Sequence, residues 1–196
     1  MNRIKDKKPI RSLTGVKWKT NASNKKRLAE DFNHRCAYCD DLDRFNGGFR
    51  SYHVEHFAPK DKFPELKFEY TNLLYSCPYC NGSKSNKWPS DDPKINVVND
   101  IGFLDPCEDE YYKHLHRNDD GSIGYDSDLG EYIYRELSLG LLRHKVLFKI
   151  GDLNKQIVLL KAKKNKESSE GKWTDDLDRL LQRALDKFHD LFQEDI

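Results

Sequence analysis

The chain reads CAYC at residues 36–39, HVEHFAPK at residues 53–60 and CPYCNGSK at residues 77–84. Two thiolates separated by two residues fit on one tight turn and supply two corners of a tetrahedron. Two such pairs therefore predict a closed, structural zinc site formed by Cys36, Cys39, Cys77 and Cys80. The interval of 37 residues between the pairs is long enough to hold a hairpin.

Two other interpretations of the cysteine pairs are weaker. Nothing at the N-terminus resembles a signal peptide, which disfavours disulfides. A thioredoxin-like redox site needs only one Cys-x-x-Cys pair. The fifth cysteine, Cys107, has no partner at ligand spacing, and we expect it to be a structural thiol.

Polar residues are concentrated between and just after the cysteine pairs. They are His53, Glu55, His56, Asn72, Asn81 and Lys84. In an extended strand His53 and Glu55 lie on the same face because they are two residues apart. Each residue also has an ordinary interpretation: Asn81 as a helix cap, Lys84 on a solvated helix face, His53 as a structural histidine and Asn72 as a turn residue.

The order E-H-x-x-P, N-L, C-x-x-C-N-x-x-K resembles the HNH (ββα-metal) endonuclease family, in the subset with a four-cysteine zinc clamp. The resemblance covers residues 36–87, with Asn81 in place of the last histidine. It implies an α+β fold, in which a zinc-stapled ββα core precedes a mainly helical C-terminal extension.

The resemblance also implies roles for these residues. His56 is the general base, which suits an imidazole that titrates at about pH 6.5. Glu55 and Asn81 hold a catalytic Mg²⁺ or Mn²⁺ through oxygen atoms, with His53 as a third ligand. Asn72 bonds to the region of His56 and orients its ring, and Lys84, expected at the start of a helix, faces a phosphate.

Charge is distributed unevenly along the chain. Residues 1–27 carry ten Lys or Arg against one acid, which leaves −8 for the remainder, and twelve acids lie between residues 91 and 131. A basic arm is typical of a segment that binds nucleic-acid phosphates, although a solvated tail explains it as well. We expect the acidic stretch to face away from substrate or toward a protein partner.

The patterning predicts three regions: a basic arm at 1–22, an HNH core with an acidic, loop-rich insertion at 23–127, and a helical region at 128–196. We expect a helix at 23–33, a strand at 49–57 and a loop at 60–70. Further helices are expected at 128–138 and 141–162, followed by a polar linker at 163–171. A last helix, capped by Thr174, carries an apolar stripe that favours an intrachain helical hairpin, or else docks on another protein.

The predicted function is a metal-dependent endonuclease that acts on DNA more readily than on RNA, with structural Zn²⁺ and catalytic Mg²⁺ or Mn²⁺. Small HNH proteins with this pattern resemble the nuclease subunits of Septu-type anti-phage systems, which work beside an ATPase. We therefore expect nucleic acid and a protein partner, and a cytoplasmic location without a membrane span. The alternative is a non-catalytic, zinc-stabilised adaptor that binds nucleic acid or a partner.

Overall fold

The computed structural model describes residues 2–5, 7–13, 21–168 and 175–191. It forms two compact units, residues 1–145 and residues 146–196. The region boundaries predicted at residues 22 and 127 stay predictions. Within the described residues, no helix has both the length and the hydrophobicity that crossing a membrane requires.

The first unit mixes short strands and helices. In chain order these are β1 (Asn2–Arg3), α1 (Asn21–Asp31), β2 (His53–His56), β3 (Leu73–Ser76), α2 (Pro78–Lys84), β4 (Val97–Val98), β5 (Ile101–Gly102), α3 (Tyr111–His114), β6 (Leu115–Arg117), β7 (Ile123–Tyr125) and α4 (Asp128–Glu136). Helix α5 (Leu142–Ser168) begins in this unit and continues into the second, which also holds α6 (Asp175–Asp190).

The centre of the first unit is the antiparallel hairpin of β2 and β3, followed directly by α2. Its register pairs His53 with Ser76 and His56 with Leu73. The predicted ββα arrangement is therefore confirmed. The predicted strand at 49–57 is shorter in the structure, because Gly47 and Gly48 adopt φ values of 80° and 73° and the following residues form a turn.

The remaining strands form two small antiparallel sheets. One has the order β1-β6-β7, and the other pairs β4 with β5. The first of these sheets ties the N-terminus of the chain to the hairpin of β6 and β7, through the pairing of Asn2 with Arg117.

The core of this unit contains many tyrosines whose hydroxyl groups have partners. Tyr52 donates to the Asp41 carbonyl at 2.7 Å, Tyr75 to the Asp43 carboxylate at 2.7 Å and Tyr111 to the Tyr38 carbonyl at 2.9 Å. Burying a hydroxyl group without a partner is costly. These bonds let large aromatic rings fill the space around the cysteines.

The described part of the basic arm is bonded to the protein. Lys5 is buried and donates to the Cys36 carbonyl at 2.8 Å, and Arg11 makes two hydrogen bonds with Asp105. Lys8 pairs with Asp109 at 2.8 Å. Arg11 and Lys8 thus have acids of the predicted acidic stretch as counter-ions, whereas Lys5 bonds a backbone carbonyl. For the buried side chains of Lys5 and Arg11 the phosphate-binding arm and the solvated tail are both wrong. Residues 14–20 of the arm lie outside the described residues.

In the second unit α5 and α6 pack through Ile157, Leu181 and Ala184, so the predicted helical hairpin is confirmed. The predicted linker is wrong over residues 163–168, where α5 continues. Lys and Glu at these positions favour a helix, and neither Gly nor Pro interrupts it. The predicted cap Thr174 lies outside the described residues.

Candidate active site and cysteine cluster

The four cysteines of the two pairs meet in one buried cluster. Their Sγ atoms all lie within 4.8 Å of one another, and those of Cys39 and Cys77 are 3.8 Å apart. A tetrahedron with zinc–sulfur bonds of about 2.3 Å places its sulfur atoms about 3.8 Å apart. The cluster therefore fits Zn²⁺, and the predicted four-cysteine clamp is in place. Cys107 lies outside it, and burial raises the pKa of its thiol to about 12.

Local backbone bonds set the two cysteine turns. The first turn is closed by the bond from Cys36 N–H to the Asp41 carbonyl, at 2.9 Å, and is tied to β3 by the bond from Ala37 N–H to the Tyr75 carbonyl, at 2.7 Å. In the second turn Cys77 caps α2, because its Sγ accepts from Cys80 N–H at 3.4 Å. The cluster thus holds the start of α2 against the hairpin.

Sequence reasoning missed the polar residues that surround the cluster. Asp41 is buried and accepts hydrogen bonds from Arg143 at 2.6 Å and from His144 Nδ1 at 2.8 Å. Arg117 is buried and donates to the Cys39 carbonyl at 2.9 Å. A zinc ion with four thiolates carries a net charge of −2, so the guanidinium groups of Arg117 and Arg143 close to it are favourable. No local pattern could reveal them, since more than 75 residues separate these partners.

A cavity of about 380 Å³ lies beside the hairpin and α2. Residues His53, Glu55 and His56 of β2 and Asn81 of α2 line it, together with Lys60 and Asn86 among others. The hairpin register and the first turns of α2 thus bring four of the six predicted site residues to one cavity. Asn72 and Lys84 do not line it.

The ring of His56 is held by a backbone carbonyl. The side chain is buried, and Nε2 lies 3.0 Å from the Lys67 oxygen. A carbonyl only accepts, so Nε2 carries the hydrogen and Nδ1 of the neutral ring is left as an acceptor. Burial lowers the pKa of His56, and Lys60, Lys84 and Lys67 lower it further, against the hydrogen bond to Lys67. The ring is neutral near pH 7, the state that a general base needs.

Asn72 shapes the loop that carries Lys67. Its Oδ1 accepts from Ala58 N–H at 2.8 Å and its Nδ2 donates to the Ala58 carbonyl at 3.0 Å. Asn72 therefore bonds to Ala58, which follows His56 by two positions, whereas the imidazole ring itself bonds to the Lys67 carbonyl. We infer that Asn72 orients His56 only through the loop at residues 57–72.

Lys84 has a different position from the one expected. It is the last residue of α2, because the helix already begins at Pro78 and ends where Ser85 adopts a φ of 48°. Its ammonium is fully buried and lies 3.0 Å from Oε1 of Glu55 and 3.2 Å from the His56 carbonyl. The expectation of a lysine at the helix start is wrong, and the ammonium faces Glu55 inside the protein.

Glu55 is buried beside this lysine. Burial raises its pKa to about 7, and Lys84 opposes that shift. Oε1 lies close to Lys84, yet it makes no hydrogen bond of acceptable geometry. A buried carboxylate oxygen in this state can accept a further cation.

His53 stands at the exposed end of the same face. Burial and the nearby Lys25 lower the pKa of His53. Near neutral pH a ring nitrogen therefore has a free lone pair that can bind a metal ion. The donor set of Glu55, Asn81 and His53 is two oxygen-bearing groups and an imidazole, which fits Mg²⁺ or Mn²⁺. Their roles as ligands remain predictions.

Comparison with known families identifies the class. Residues 36–87 match the model of the HNH endonuclease family. That range contains the cysteine cluster, the β2–β3 hairpin and α2. This part of the chain is an HNH domain with four cysteines positioned for a zinc clamp.

The particular relatives are Septu proteins. The chain is 40% identical to a Septu protein PtuB of Bacillus thuringiensis over 73 residues, which are 37% of this chain and 28% of the relative. It is 31% identical to a Septu protein PtuB of Bacillus mycoides (strain KBAB4) in an alignment 125 residues long that covers 53% of this chain and 41% of the relative. A Septu protein PtuA of the same strain is 29% identical in an alignment 127 residues long that covers 55% of this chain and 18% of the relative. The matches span less than half the length of these relatives.

Proposed function

We propose that this protein is a metal-dependent HNH endonuclease that hydrolyses phosphodiester bonds in nucleic acid, with DNA preferred to RNA. The observation that carries the proposal is the placement of His56. Its Nε2–H is bound to the Lys67 carbonyl, and the ring lines the same cavity as Glu55 and Asn81. An adaptor without catalytic activity has no need for a neutral, oriented imidazole at that place.

In this proposal His56 Nδ1 takes a proton from a water molecule while the water oxygen bonds to phosphorus and the ester bond to the leaving oxygen breaks. Such general-base assistance typically contributes ~10² to 10⁴-fold. Glu55, Asn81 and His53 would hold the catalytic cation. When bound, that cation neutralises charge on the phosphate and on the leaving oxygen.

The charge around the cavity supports a nucleic-acid substrate. Lys60 lines the cavity beside the acid Asp61 and is exposed, and Lys25 lies near His53. Lysines at such positions are suited to phosphate oxygens, and they would make binding depend on salt.

We further propose that this nuclease is the effector of a bacterial anti-phage defence complex of the Septu type. The support is the similarity to two PtuB proteins. The proposed partner is a PtuA-type subunit, expected to be an ATPase. Zinc in the cysteine cluster would be structural.

The test is cleavage of plasmid DNA and of tRNA by the purified protein, with Mg²⁺, Mn²⁺ or EDTA, alone and with the PtuA-type subunit. We expect divalent cations to support DNA cleavage and EDTA to stop it. His56→Ala should lower the rate at least ~10²-fold. The variant should still fold and keep its zinc, with a lower thermal midpoint because a buried, hydrogen-bonded ring is lost.

The matched control is His189→Ala, which removes an exposed imidazole of α6 and should leave cleavage unchanged. A wild-type protein that binds nucleic acid but cuts neither substrate under any of these conditions would favour the adaptor instead. Faster cleavage of tRNA would reverse the preference for DNA.

A further inference from the structure

Lys84 is a buried cation in contact with Glu55, one of the proposed ligands of the catalytic metal ion. Its ammonium lies 3.0 Å from Oε1 of Glu55, and the side chain has no exposed surface. The rings of Phe103 and Trp88 lie 5.4 Å and 6.0 Å from the same nitrogen. Glu55 therefore already has a counter-ion that belongs to the chain.

Two cations cannot share one carboxylate without repulsion. A divalent ion on Glu55 would lie a few ångströms from the Lys84 ammonium, where water screens little of the interaction. Lys84 also donates to the His56 carbonyl at 3.2 Å, which ties it to the strand that carries the proposed base. It therefore cannot withdraw from Glu55 without breaking that bond or leaving its charge buried and unpaired.

We propose that Lys84 is a positioning residue that holds Glu55 in the metal-free protein and keeps its affinity for a divalent cation low until nucleic acid is present. This inference rests on the proposed function, since it concerns the same cation. A phosphate of the substrate brings negative charge into the cavity and offsets the repulsion from Lys84. Cation and nucleic acid should accordingly bind cooperatively, and the free protein should hold its cation weakly.

A purely structural Lys84 makes a different prediction. Replacing it would destabilise the protein but would leave the intrinsic cation affinity of Glu55 unchanged or weaker. The sign of the change in cation affinity separates the two roles.

The experiment compares Lys84→Gln with wild type by calorimetric titration of Mn²⁺ into the full zinc-loaded chain at pH 8.0, without nucleic acid. Glutamine keeps a donor for the His56 carbonyl and removes the charge. We expect Mn²⁺ to bind the variant ~10-fold or more tightly than the wild type, because one nearby positive charge is gone. Lys84→Arg, which keeps the charge, should bind Mn²⁺ weakly.

The matched control is Lys87→Gln, three residues further on. Lys87 is exposed and pairs with Glu136 at 2.6 Å, so its removal changes the net charge equally without touching the cavity. Its Mn²⁺ affinity should equal that of the wild type. An equal gain in both variants would reduce the effect to net charge and overturn the proposal.

Unchanged or weaker Mn²⁺ binding by a folded Lys84→Gln would also overturn it. If that variant loses zinc, Lys84→Met replaces it, since methionine suits the aromatic surroundings. A measurement that needs neither variant is the Mn²⁺ affinity of His56→Ala with and without duplex DNA. If DNA raises that affinity less than ~10-fold, the proposed cooperativity is contradicted. Because none of these readouts is cleavage, the two failures are distinguishable: an inactive wild type with these Mn²⁺ affinities refutes the proposed cleavage, and an active wild type without them refutes this inference.

Discussion

His56 Nε2 and the backbone oxygen of Lys67 lie 3.0 Å apart across the loop that joins β2 to β3. The bond decides the tautomer of the imidazole, because the carbonyl has no hydrogen to offer. The orientation of the proposed base therefore depends on the conformation of the loop that follows its strand, at a residue 11 positions further along the chain.

The loop is itself held by Asn72, and this leads to the first prediction. Asn72→Ala removes both side-chain bonds to Ala58 and leaves a buried N–H and a buried C=O without partners. Each such loss costs about 1–3 kcal/mol. We expect a lower thermal midpoint and slower cleavage, measured by calorimetry and by plasmid nicking.

Thr71→Ala is the control for Asn72, since Thr71 is its exposed neighbour. Its stability and rate should match the wild type. If Asn72→Ala cleaves at full rate, His56 does not depend on this loop.

The second prediction concerns the cysteine cluster. Cys77→Ser should give protein that is insoluble or unfolded, because zinc binding supplies folding free energy on the order of 10 kcal/mol in small zinc domains. Cys36→Ser should behave alike. Elemental analysis of the soluble wild type should find one zinc per chain.

Cys107→Ser is the matched control, because Cys107 lies outside the cluster. It should fold and keep its zinc. Active wild-type protein without zinc would refute the structural role of the metal.

The third prediction is a pH dependence. A base works in its unprotonated form, and burial together with Lys60, Lys84 and Lys67 lowers the pKa of His56. At saturating Mn²⁺ and DNA, the cleavage rate should therefore be constant near neutral pH and fall only below pH ~6.5, the ordinary value for histidine. The measurement is the initial rate between pH 5 and 8.

Lys60→Gln should move that fall to higher pH, since it removes one positive charge that disfavours the imidazolium. Lys62→Gln, a neighbouring exposed lysine that pairs with Asp91, should not move it. A profile that both variants leave unchanged would show that another group sets the pH dependence.

The fourth prediction concerns the proposed partner. Helix α5 exposes Val158 and Leu159, and more than half of each side chain is accessible. Exposed apolar side chains of this kind are suited to a protein contact. Leu159→Lys should weaken a complex with the PtuA-type subunit, as measured by light scattering after size-exclusion chromatography.

Gln156→Lys adds the same charge at an exposed position of the same helix and should leave the complex intact. A complex that survives Leu159→Lys would move the contact elsewhere, for example to the acidic stretch. An isolated chain that binds no such subunit and cleaves DNA at full rate would refute the need for a partner.

Short-range spacing predicted the cysteine cluster and the shared face of His53 and Glu55, whereas the ββα order was implied by the resemblance to the HNH family. Two residues between the cysteines of each pair set a metal turn, a single residue between His53 and Glu55 puts them on one face of a strand, and Asn81 follows Cys80 directly. These relationships depend on local backbone geometry, which the sequence determines by itself. The same holds for the helices, whose apolar periodicity and good helix formers are local properties.

The tertiary structure alone decided which partner each charged residue takes. Lys84 was expected to face a phosphate, but packing against Phe103 and Trp88 turns it inward to Glu55. Lys5 and Arg11 were predicted to belong to a basic arm that binds phosphates or is solvated. In the fold they bond to Cys36 and Asp105, which are 31 and 94 residues away. Periodicity carries no information about such distances along the chain. The pairing of buried charges follows from which surfaces the hydrophobic core and the cysteine cluster bring together.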